Sequence, residues 1–497
     1  MKNKTTLLNV ISSFLLQIIS TISGLIVPRI ILAYFGSDVN GLIGSLGQIL
    51  SYVTLVEGGV TGVVLANMYK PLIDKDFEKL SSIMVTARKF YRRIAMIAVG
   101  YILAVAFIFP LVKKTGFGYG YVCSLTLIIS VTLLIQYLFA LSLQTLLDAD
   151  KKVYIVSFTQ IIITILNVVL VLISVNIYPS IHLLKFVSGS LFVLQPLVYG
   201  IYIKNHYPIN WKAGEDKSLL KNRWDGFAIN IAAFIHGCTD VVVLTIFTDF
   251  KTVSVYNVYL LVVNGLRKLV VSILAGLDPA LGQAYARGDK KELEEKLCIY
   301  EYIDFMLVFF IFSVCGLLIT PFVILYTKGI NDADYNRLWF GVVMVLSEAL
   351  YILKFPHMNL AYTAGKFKEL TVPAYIEAGL NIVSSLIFVK LWGIIGVVAG
   401  TCLAMSFRLI YHVFFTKKLI EGRKQFIYYR KLLLFALVSF LGIAICVFAF
   451  PLKEITIAGW VIHAFIYSGV IGGLLLVLSL LLFRPELRFF IKYLRRK

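Results

Sequence analysis

The sequence predicts an all-α, polytopic membrane protein of about fourteen transmembrane helices, built from two related halves, and three observations carry that prediction. Of 497 residues, 59% are hydrophobic and only 15% charged, too apolar a balance for a chain of this length to clothe itself in a polar surface. Apolar windows of about twenty residues, enough to cross the hydrocarbon of a bilayer, recur from end to end. Finally, stretches about 215 residues apart repeat each other.

The windows fall near 6–34, 42–69, 94–112, 121–147, 153–175, 183–203, 224–247, 254–283, 300–327, 338–362, 369–389, 392–416, 432–451 and 458–483. The first follows Lys2 and Lys4 and runs to Phe35, too long for a signal-peptide core and lacking a small-residue cleavage site, so it reads as a retained span. Several windows exceed what a bilayer requires, which predicts tilt or extension beyond it.

Charge placement supports this map. Most of the 47 Lys and Arg fall at the termini and in the even-numbered connections. The odd connections and flanks hold only Lys113, Lys114, Lys185, Lys251, Lys328, Arg337, Lys390 and Lys453. By the positive-inside rule both termini are then expected on the cytoplasmic side. The net charge of +20 follows from topology and attraction to anionic lipid, and nucleic acid is not an expected partner. Six cysteines stand singly with no C-x-x-C pair, which implies neither a disulfide framework nor a metal site.

The repeat is legible in four places. Leu65-Ala-Asn-Met-Tyr69 before Asp74-Lys-Asp-Phe-Glu-Lys-Leu80 answers to Leu281-Gly-Gln-Ala-Tyr285 before Asp289-Lys-Lys-Glu-Leu-Glu-Glu-Lys-Leu297. Thr145-Leu-Leu-Asp-Ala149-Asp-Lys151-Lys answers to Ala361-Tyr-Thr-Ala364-Gly-Lys366-Phe-Lys, and Leu166-Asn167 to Leu380-Asn381. An even number of spans per half makes the halves parallel, with a substrate site expected between them. The expected organisation is an N-lobe of spans 1–6 (1–203), a linker (204–223) bearing Lys212, Lys217, Lys221 and Arg223, a C-lobe of spans 7–12 (224–416), and spans 13–14 with a basic tail (417–497). Between Asp74 and Arg93, Phe77, Leu80, Ile83 and Met84 share a helical face. This segment is either a surface-lying amphipathic helix or an extension of span 3.

Two parallel six-helix lobes with the Tyr…Asp-Lys…Glu-Lys-Leu signature after spans 2 and 8 resemble the multidrug/oligosaccharidyl-lipid/polysaccharide exporter superfamily. Gly24-Leu-Ile-Val-Pro28-Arg29-Ile-Ile-Leu-Ala-Tyr-Phe-Gly36, followed by Asn40-Gly41-Leu, is similar to the start of its bacterial polysaccharide (O-antigen or capsule-type, Wzx-like) flippase branch. The resemblance implies a V-shaped, MATE-like arrangement whose lobes rock about a central cavity. It also implies transfer of a polyprenyl-pyrophosphate-linked oligosaccharide to the outer leaflet for surface polysaccharide synthesis, in the company of membrane lipids and polysaccharide polymerase machinery.

Ionisable groups at membrane depth are expensive unless paired or facing a wet cavity, which makes each a candidate. Ten are read at membrane depth: Arg29, Arg267, Lys268, Lys354 and Arg408 against Glu57, Asp240, Asp278, Glu348 and Glu377. At ~1.5 Å per residue, Arg267 lies roughly 20 Å from the outer end of span 8 and Glu348 roughly 15 Å into span 10. A pyrophosphate calls for charge-assisted donors, and arginine's planar fork suits phosphate oxygens. In the lipid II flippase branch of the superfamily, arginines in the first and eighth spans line the cavity. By that resemblance Arg29 and Arg267 are the expected pyrophosphate contacts, with Lys268 and Lys354 beside them. The alternative is ion pairs that fix helix packing, with Glu57, Asp240 or Glu348 as counter-ions. Asp240, Glu348 and Glu57 are also the candidates for a coupling proton or sodium ion, the only cofactor expected. His236 is an alternative proton site.

Blander roles are expected elsewhere. Arg408 is expected to snorkel and Asp278, before Pro279, to cap or hinge its helix. Gly58-Gly59 is expected to kink span 2. Gly396-x-x-x-Gly400 and Gly58-Gly59-x-x-Gly62 read as close-packing sites, and Asn167 and Asn381 as interhelical bridges. The motifs H-E-x-x-H, G-x-S-x-G and G-x-x-x-x-G-K-[ST] do not occur, so no enzyme chemistry is expected. A cation-coupled drug exporter on the same fold remains the alternative to a flippase; span 1 carries Arg29 and no acid, which argues against it, while Glu57 argues for it.

Overall fold

The structure, a computed structural model, describes residues 2–57, 59–216 and 227–495, with side chains described at 4–57, 59–216 and 234–489. Every regular element among them is helical. In chain order these are α1 (Lys2–Ser51), α2 (Thr54–Glu57), α3 (Val60–Asp74), α4 (Phe77–Val112), α5 (Tyr119–Ile135), α6 (Leu141–Ala149), α7 (Val153–Ile177), α8 (Ile181–Ser190) and α9 (Leu194–His206). They continue with α10 (Phe227–Phe247), α11 (Phe250–Leu274), α12 (Asp278–Arg287), α13 (Lys290–Tyr326), α14 (Leu338–Leu353), α15 (Phe355–Thr363) and α16 (Phe367–Trp392). The last are α17 (Ile394–Leu419), α18 (Gln425–Ala449), α19 (Ile457–Leu482) and α20 (Arg484–Arg495).

Helices dominate because a bilayer offers backbone N–H and C=O groups no partner except within the segment itself. The outward faces are apolar: Phe440, Phe448 and Phe465 on α18 and α19 are all strongly exposed, the pattern of helices that face lipid. Among the described residues, twelve helices are long and apolar enough to cross a membrane. The sequence windows number fourteen because 6–34 and 42–69 both draw on one continuous run from Lys4 to Glu57, bent where Gly36 takes φ 79°. In addition, the described apolar part of α10, Phe234–Phe247, is shorter than a full span.

The chain forms two compact units. Unit 1 holds 1–230 with Asp249–Ser254, and unit 2 holds 231–248 with 255–497. In unit 1, one apolar core is built on Val64, Leu80, Ala98, Leu146 and Tyr199, and another on Leu42, Leu46, Leu125, Val171 and Leu184. Residues 249–254 belong to unit 1 because Gly41 leaves no room for a side chain against the Phe250 carbonyl. A Cβ there would stand 1.8 Å from that oxygen. Beside it, Asn40 Nδ2 donates to Ser254 Oγ at 2.8 Å, buried.

The repeated signatures are turn chemistry. Lys75 (φ 56°) and Gly288 (φ 73°) end α3 and α12 in the left-handed conformation. Asp76 and Asp289 then cap α4 and α13, accepting from the backbone N–H of Lys79 and of Lys291 and Glu292. Lys151 (φ 58°) and Gly365 (φ 68°) close the second pair of turns in the same way. The structural register therefore pairs Asp76, not Asp74, with Asp289.

Several expectations resolve here. Residues 77–93 are the first turns of an unbroken α4, with Leu80, Ile83 and Met84 buried, so this segment extends span 3. The helix is interrupted between Ser51 and Val60, where Gly59 takes φ 80°. Gly396 and Gly400 bring α16 and α17 into contact: a Cβ on Gly396 would lie 1.9 Å from the Phe388 carbonyl oxygen, and one on Gly400 2.6 Å from Ser385 N. Gly62 has open space instead, and Gly58 lies outside the described residues. Asn381 Nδ2 bridges to Thr401 Oγ1 at 3.0 Å, whereas the Asn167 side chain makes no such bond and its Oδ1 is left buried. Of the linker cations, Lys217, Lys221 and Arg223 lie outside the described residues.

Candidate functional site

Unit 2 gathers most of the intramembrane charge into one buried network, assembled by helical periodicity. Glu348 and Tyr351 lie three apart on α14, His236 and Asp240 four apart on α10, and Glu377 and Asn381 four apart on α16, so each pair shares a face. Thr401 and Arg408 lie seven apart on α17. Lys354 sits at the junction where α14 gives way to α15. Pro356 follows in the first turn of α15, where its missing N–H is tolerated.

Arg267 on α11 directs Nη1 to both oxygens of Glu348 at 3.2 Å, and to His236 Nε2 at 3.5 Å. His236 Nε2 is also 3.5 Å from Glu348 Oε1. The Tyr351 ring stacks on the His236 imidazole at 4.2 Å, with the Arg267 guanidinium 5.4 Å and the Lys354 ammonium 4.3 Å from its centre. Lys354 Nζ reaches Glu377 Oε1 at 3.5 Å, and Arg408 Nε reaches Glu377 Oε2 at 3.1 Å. Three cations thus meet two carboxylates across one aromatic ring. The Glu348 side chain is 6% exposed and Arg267 22%, so the arginine is the member that opens outward. Its Nε and Nη2 donate to no protein acceptor among the described residues.

A second group adjoins this one. Asp240 accepts from Tyr256 OH at 2.9 Å and from Thr401 Oγ1 at 3.0 Å, and Thr401 in turn receives Asn381. Asn381 Oδ1 is buried and accepts nothing, so an amide oxygen, a hydroxyl and a carboxylate cluster with acceptor capacity to spare.

Unit 1 places Glu57 at a smaller hollow of about 320 Å³ that Ser51, Thr54, Ser130 and Gln136 also line. Thr61 donates to Glu57 and hydrogen-bonds Tyr91 at 2.6 Å, and Tyr137 donates to Glu57 at 3.3 Å. Arg29, half-buried on α1, belongs to this unit, so the two arginines expected at one pyrophosphate stand on different units.

Lys268 is exposed and stands outside the network. The structure corrects one of the sequence expectations. Arg408 does not snorkel: it is 2% exposed and holds Glu377, because α17 is packed on both sides by α14 and α16 and offers no route to the surface. Asp278 ties helices together, accepting from Tyr300 OH at 2.9 Å and Asn359 Nδ2 at 2.7 Å. Hydropathy also misses a third buried group. Glu301 and Asp304 stand at the edge of the window 300–327, and Arg423 in the connection after 416, so all three read as interfacial. The structure buries them, pairing Arg423 with Glu301 and setting His357 Nε2 3.3 Å from the same carboxylate. Their i, i+3 spacing on α13 was the available signal. Among the described residues no three His, Cys, Asp or Glu side chains are grouped to hold a metal ion.

No family model matches the chain. An "uncharacterized membrane protein MJ1068" from Methanocaldococcus jannaschii is 26% identical over 298 residues, 56% of this chain and 55% of that protein, so the match spans about half of the relative's length. Among solved structures, the lipid II flippase MurJ in an inward closed conformation gives a TM-score of 0.70 at 16% identity, covering 93% of this chain and 98% of its own. A multidrug resistance MATE family transporter of the MOP superfamily, inward-facing, gives 0.67 at 13% identity, covering 81% and 96%. The eukaryotic MATE transporter AtDTX14 gives 0.59 at 14% identity, covering 86% and 98%. All three proteins are flippases or transporters by name, and the fold of this chain is the fold they share.

Proposed function

We propose that this protein is a flippase that carries a polyprenyl-pyrophosphate-linked oligosaccharide across the bacterial cytoplasmic membrane by alternating access, for surface polysaccharide synthesis. The observation that carries the reading is Arg267. Its Nη1 is fixed by Glu348 and His236, while Nε and Nη2 remain available on the more exposed side of the group. A guanidinium held in place by one edge presents the other as a prepared fork for phosphate oxygens. Lys354 and Arg408, sharing Glu377, leave this cluster with one cation more than it has carboxylates, which favours an anionic headgroup. Arg29 on unit 1 is the proposed partner contact. The likeness extends to the lipid II flippase and to the MATE transporters alike, so the choice of a lipid-linked substrate over a drug rests on the charge of this cluster. On this reading the lobes are 1–203 and 224–416, the termini are cytoplasmic, and polysaccharide polymerase is the downstream partner.

Coupling to a cation is proposed at Asp240 with Thr401 and Asn381, whose oxygens suit a hard cation, sodium in particular. The second reading, an ion-coupled small-molecule exporter, is favoured by Glu57. A carboxylate at a hydroxyl-lined hollow in unit 1 is what a cationic cargo or a proton would use.

The test is reconstitution of the purified protein in liposomes with a labelled polyprenyl-pyrophosphate oligosaccharide, scoring transfer between leaflets with and without sodium and proton gradients. Protein-dependent transfer is expected, and its absence under every gradient, together with gradient-driven efflux of a cationic dye, would replace this reading by the exporter.

A further inference from the structure

A second hollow, separate from the Arg267 cluster, opens on unit 1. It is a groove of about 800 Å³ walled by α5 and α6 on one side and α9 on the other. Irregular backbone on both walls keeps the helices apart. A π-turn at Gln136–Ala140 swells the first, and a 3₁₀ turn at Leu191–Val193 followed by Pro196 bends the second. Small residues, Ser142 and Gly200, line it and keep its floor low. Much of the rest of the inner lining is apolar and uncovered: Phe139 is 49% exposed, Val193 43% and Leu197 53%.

Polarity runs along the groove. From Val193 to Lys204 the α9 wall advances ~16 Å at 1.5 Å per residue, about half of a ~30 Å hydrocarbon core. The groove is therefore one leaflet deep. At its Lys204 end stand Arg88 and Trp211, the guanidinium 4.9 Å above the indole. Neither Arg88 nor Lys204 is ion-paired among the described residues, and no carboxylate lines the groove. An apolar trough of one leaflet's depth, closed by two unneutralised cations and an interfacial tryptophan, has the polarity of a single lipid.

We propose that this groove is a binding site for one anionic glycerophospholipid of the adjoining leaflet, its acyl chain lying along Phe139 and Leu197 and its phosphate held by Arg88 and Lys204. A zwitterionic lipid carries its own ammonium and leaves the two cations only partly neutralised, so the site discriminates by headgroup charge. The π-turn whose residue Phe139 lines the groove also contains Tyr137, which donates to Glu57. Lipid occupancy thus bears directly on the wall that carries the Glu57 hollow.

The test uses the purified full chain in detergent, titrated with dioleoyl phosphatidylglycerol or dioleoyl phosphatidylcholine and read by native mass spectrometry. Phosphatidylglycerol adducts are expected to persist to collision energies that strip phosphatidylcholine, with apparent affinity at least about tenfold higher. Arg88→Gln with Lys204→Gln should abolish that preference, and Gly200→Phe should reduce retention of both lipids by filling the floor. A diazirine-tailed phosphatidylglycerol should crosslink to α5, α6 and α9. Unfolding midpoints close to the wild type would show that the variants fold. An unchanged preference in the folded double variant overturns the proposal, as do crosslinks confined to other helices.

Discussion

The Arg267 guanidinium and the Glu348 carboxylate meet through a single nitrogen, Nη1, 3.2 Å from each oxygen, rather than fork to fork. The pair is therefore not the strongest ion pair these groups can form. It leaves half of the guanidinium to other partners, while His236 and the Tyr351 ring hold its orientation. A residue kept for packing alone would be expected to close both edges.

Removing Glu348 alone leaves the part-buried Arg267 without its counter-ion. Glu348→Ala should destabilise unit 2 by about 3–5 kcal/mol, and the double change Arg267→Met with Glu348→Leu should recover most of that loss. Unfolding midpoints in detergent decide it. Equal losses in the single and double variants would mean that the pair does not govern stability.

The geometry of the open edge matters to transport. Arg267→Lys keeps the charge but replaces a planar fork by a point donor, and one lost charge-assisted bond is worth about 1.5–3 kcal/mol. Leaflet transfer of the lipid-linked oligosaccharide should therefore fall at least about tenfold in Arg267→Lys and further in Arg267→Ala, with protein still folded in the membrane. Transfer at the wild-type rate in both would remove Arg267 from the substrate path.

The contact between α16 and α17 admits no methyl group at Gly396. Gly396→Ala must part the two backbones, since the new Cβ would fall 1.9 Å from Phe388 O, and should cost about 1–3 kcal/mol or more. Gly379→Ala, on the same α16 but with nothing within 4 Å, should be neutral or stabilising by up to about 1 kcal/mol. Comparing yields of folded protein and unfolding midpoints for the two separates packing from helix propensity.

Outside the spans, Tyr207 OH donates to Asp150 at 2.5 Å, and Lys152 lies 3.6 Å from the same carboxylate and 3.0 Å from Tyr202 OH. Burial, reinforced by Asp150, raises the Tyr207 phenol well above its usual range. Lys152 is also raised: burial opposes the shift, but the hydrogen bond to Tyr202 and the nearby negative groups outweigh it. Both groups hold their protons more tightly folded than unfolded. Their stabilisation is thus complete below pH ~10 and is lost as pH climbs through the raised values. Tyr207→Phe should flatten the alkaline fall in stability above pH ~10 and cost about 1 kcal/mol at pH 7. An alkaline unfolding profile parallel to the wild type would refute this assignment.

Some of the candidate site was readable in advance and some was not. A charge in the middle of an apolar window announces itself, which is why Arg267, Glu348, Asp240, Lys354 and Glu377 all emerge from hydropathy. Glu301, Asp304 and Arg423 do not, because windows have soft edges and the cost of burial depends on the neighbours a residue meets, not on its position along the chain. Arg408 shows the same limit from the other side. Toward the cytoplasmic end of a window a long cation is expected to reach water, but here α14 and α16 enclose it and Glu377 neutralises it.

Composition, hydropathy period and turn motifs determined that this chain is helical and membrane-spanning and that the same turns recur in it, because those properties depend on local transfer energy and backbone conformation. Lys75 and Gly288 end their helices and Asp76 and Asp289 begin the next through contacts of four residues or fewer. Only the tertiary structure decided which charges pair. It set Arg267 against Glu348 across 81 residues, and Arg423 against Glu301 across 122. Such partners are chosen by the packing of distant helices, and Coulomb attraction in a low-dielectric interior then holds whatever packing has brought within reach.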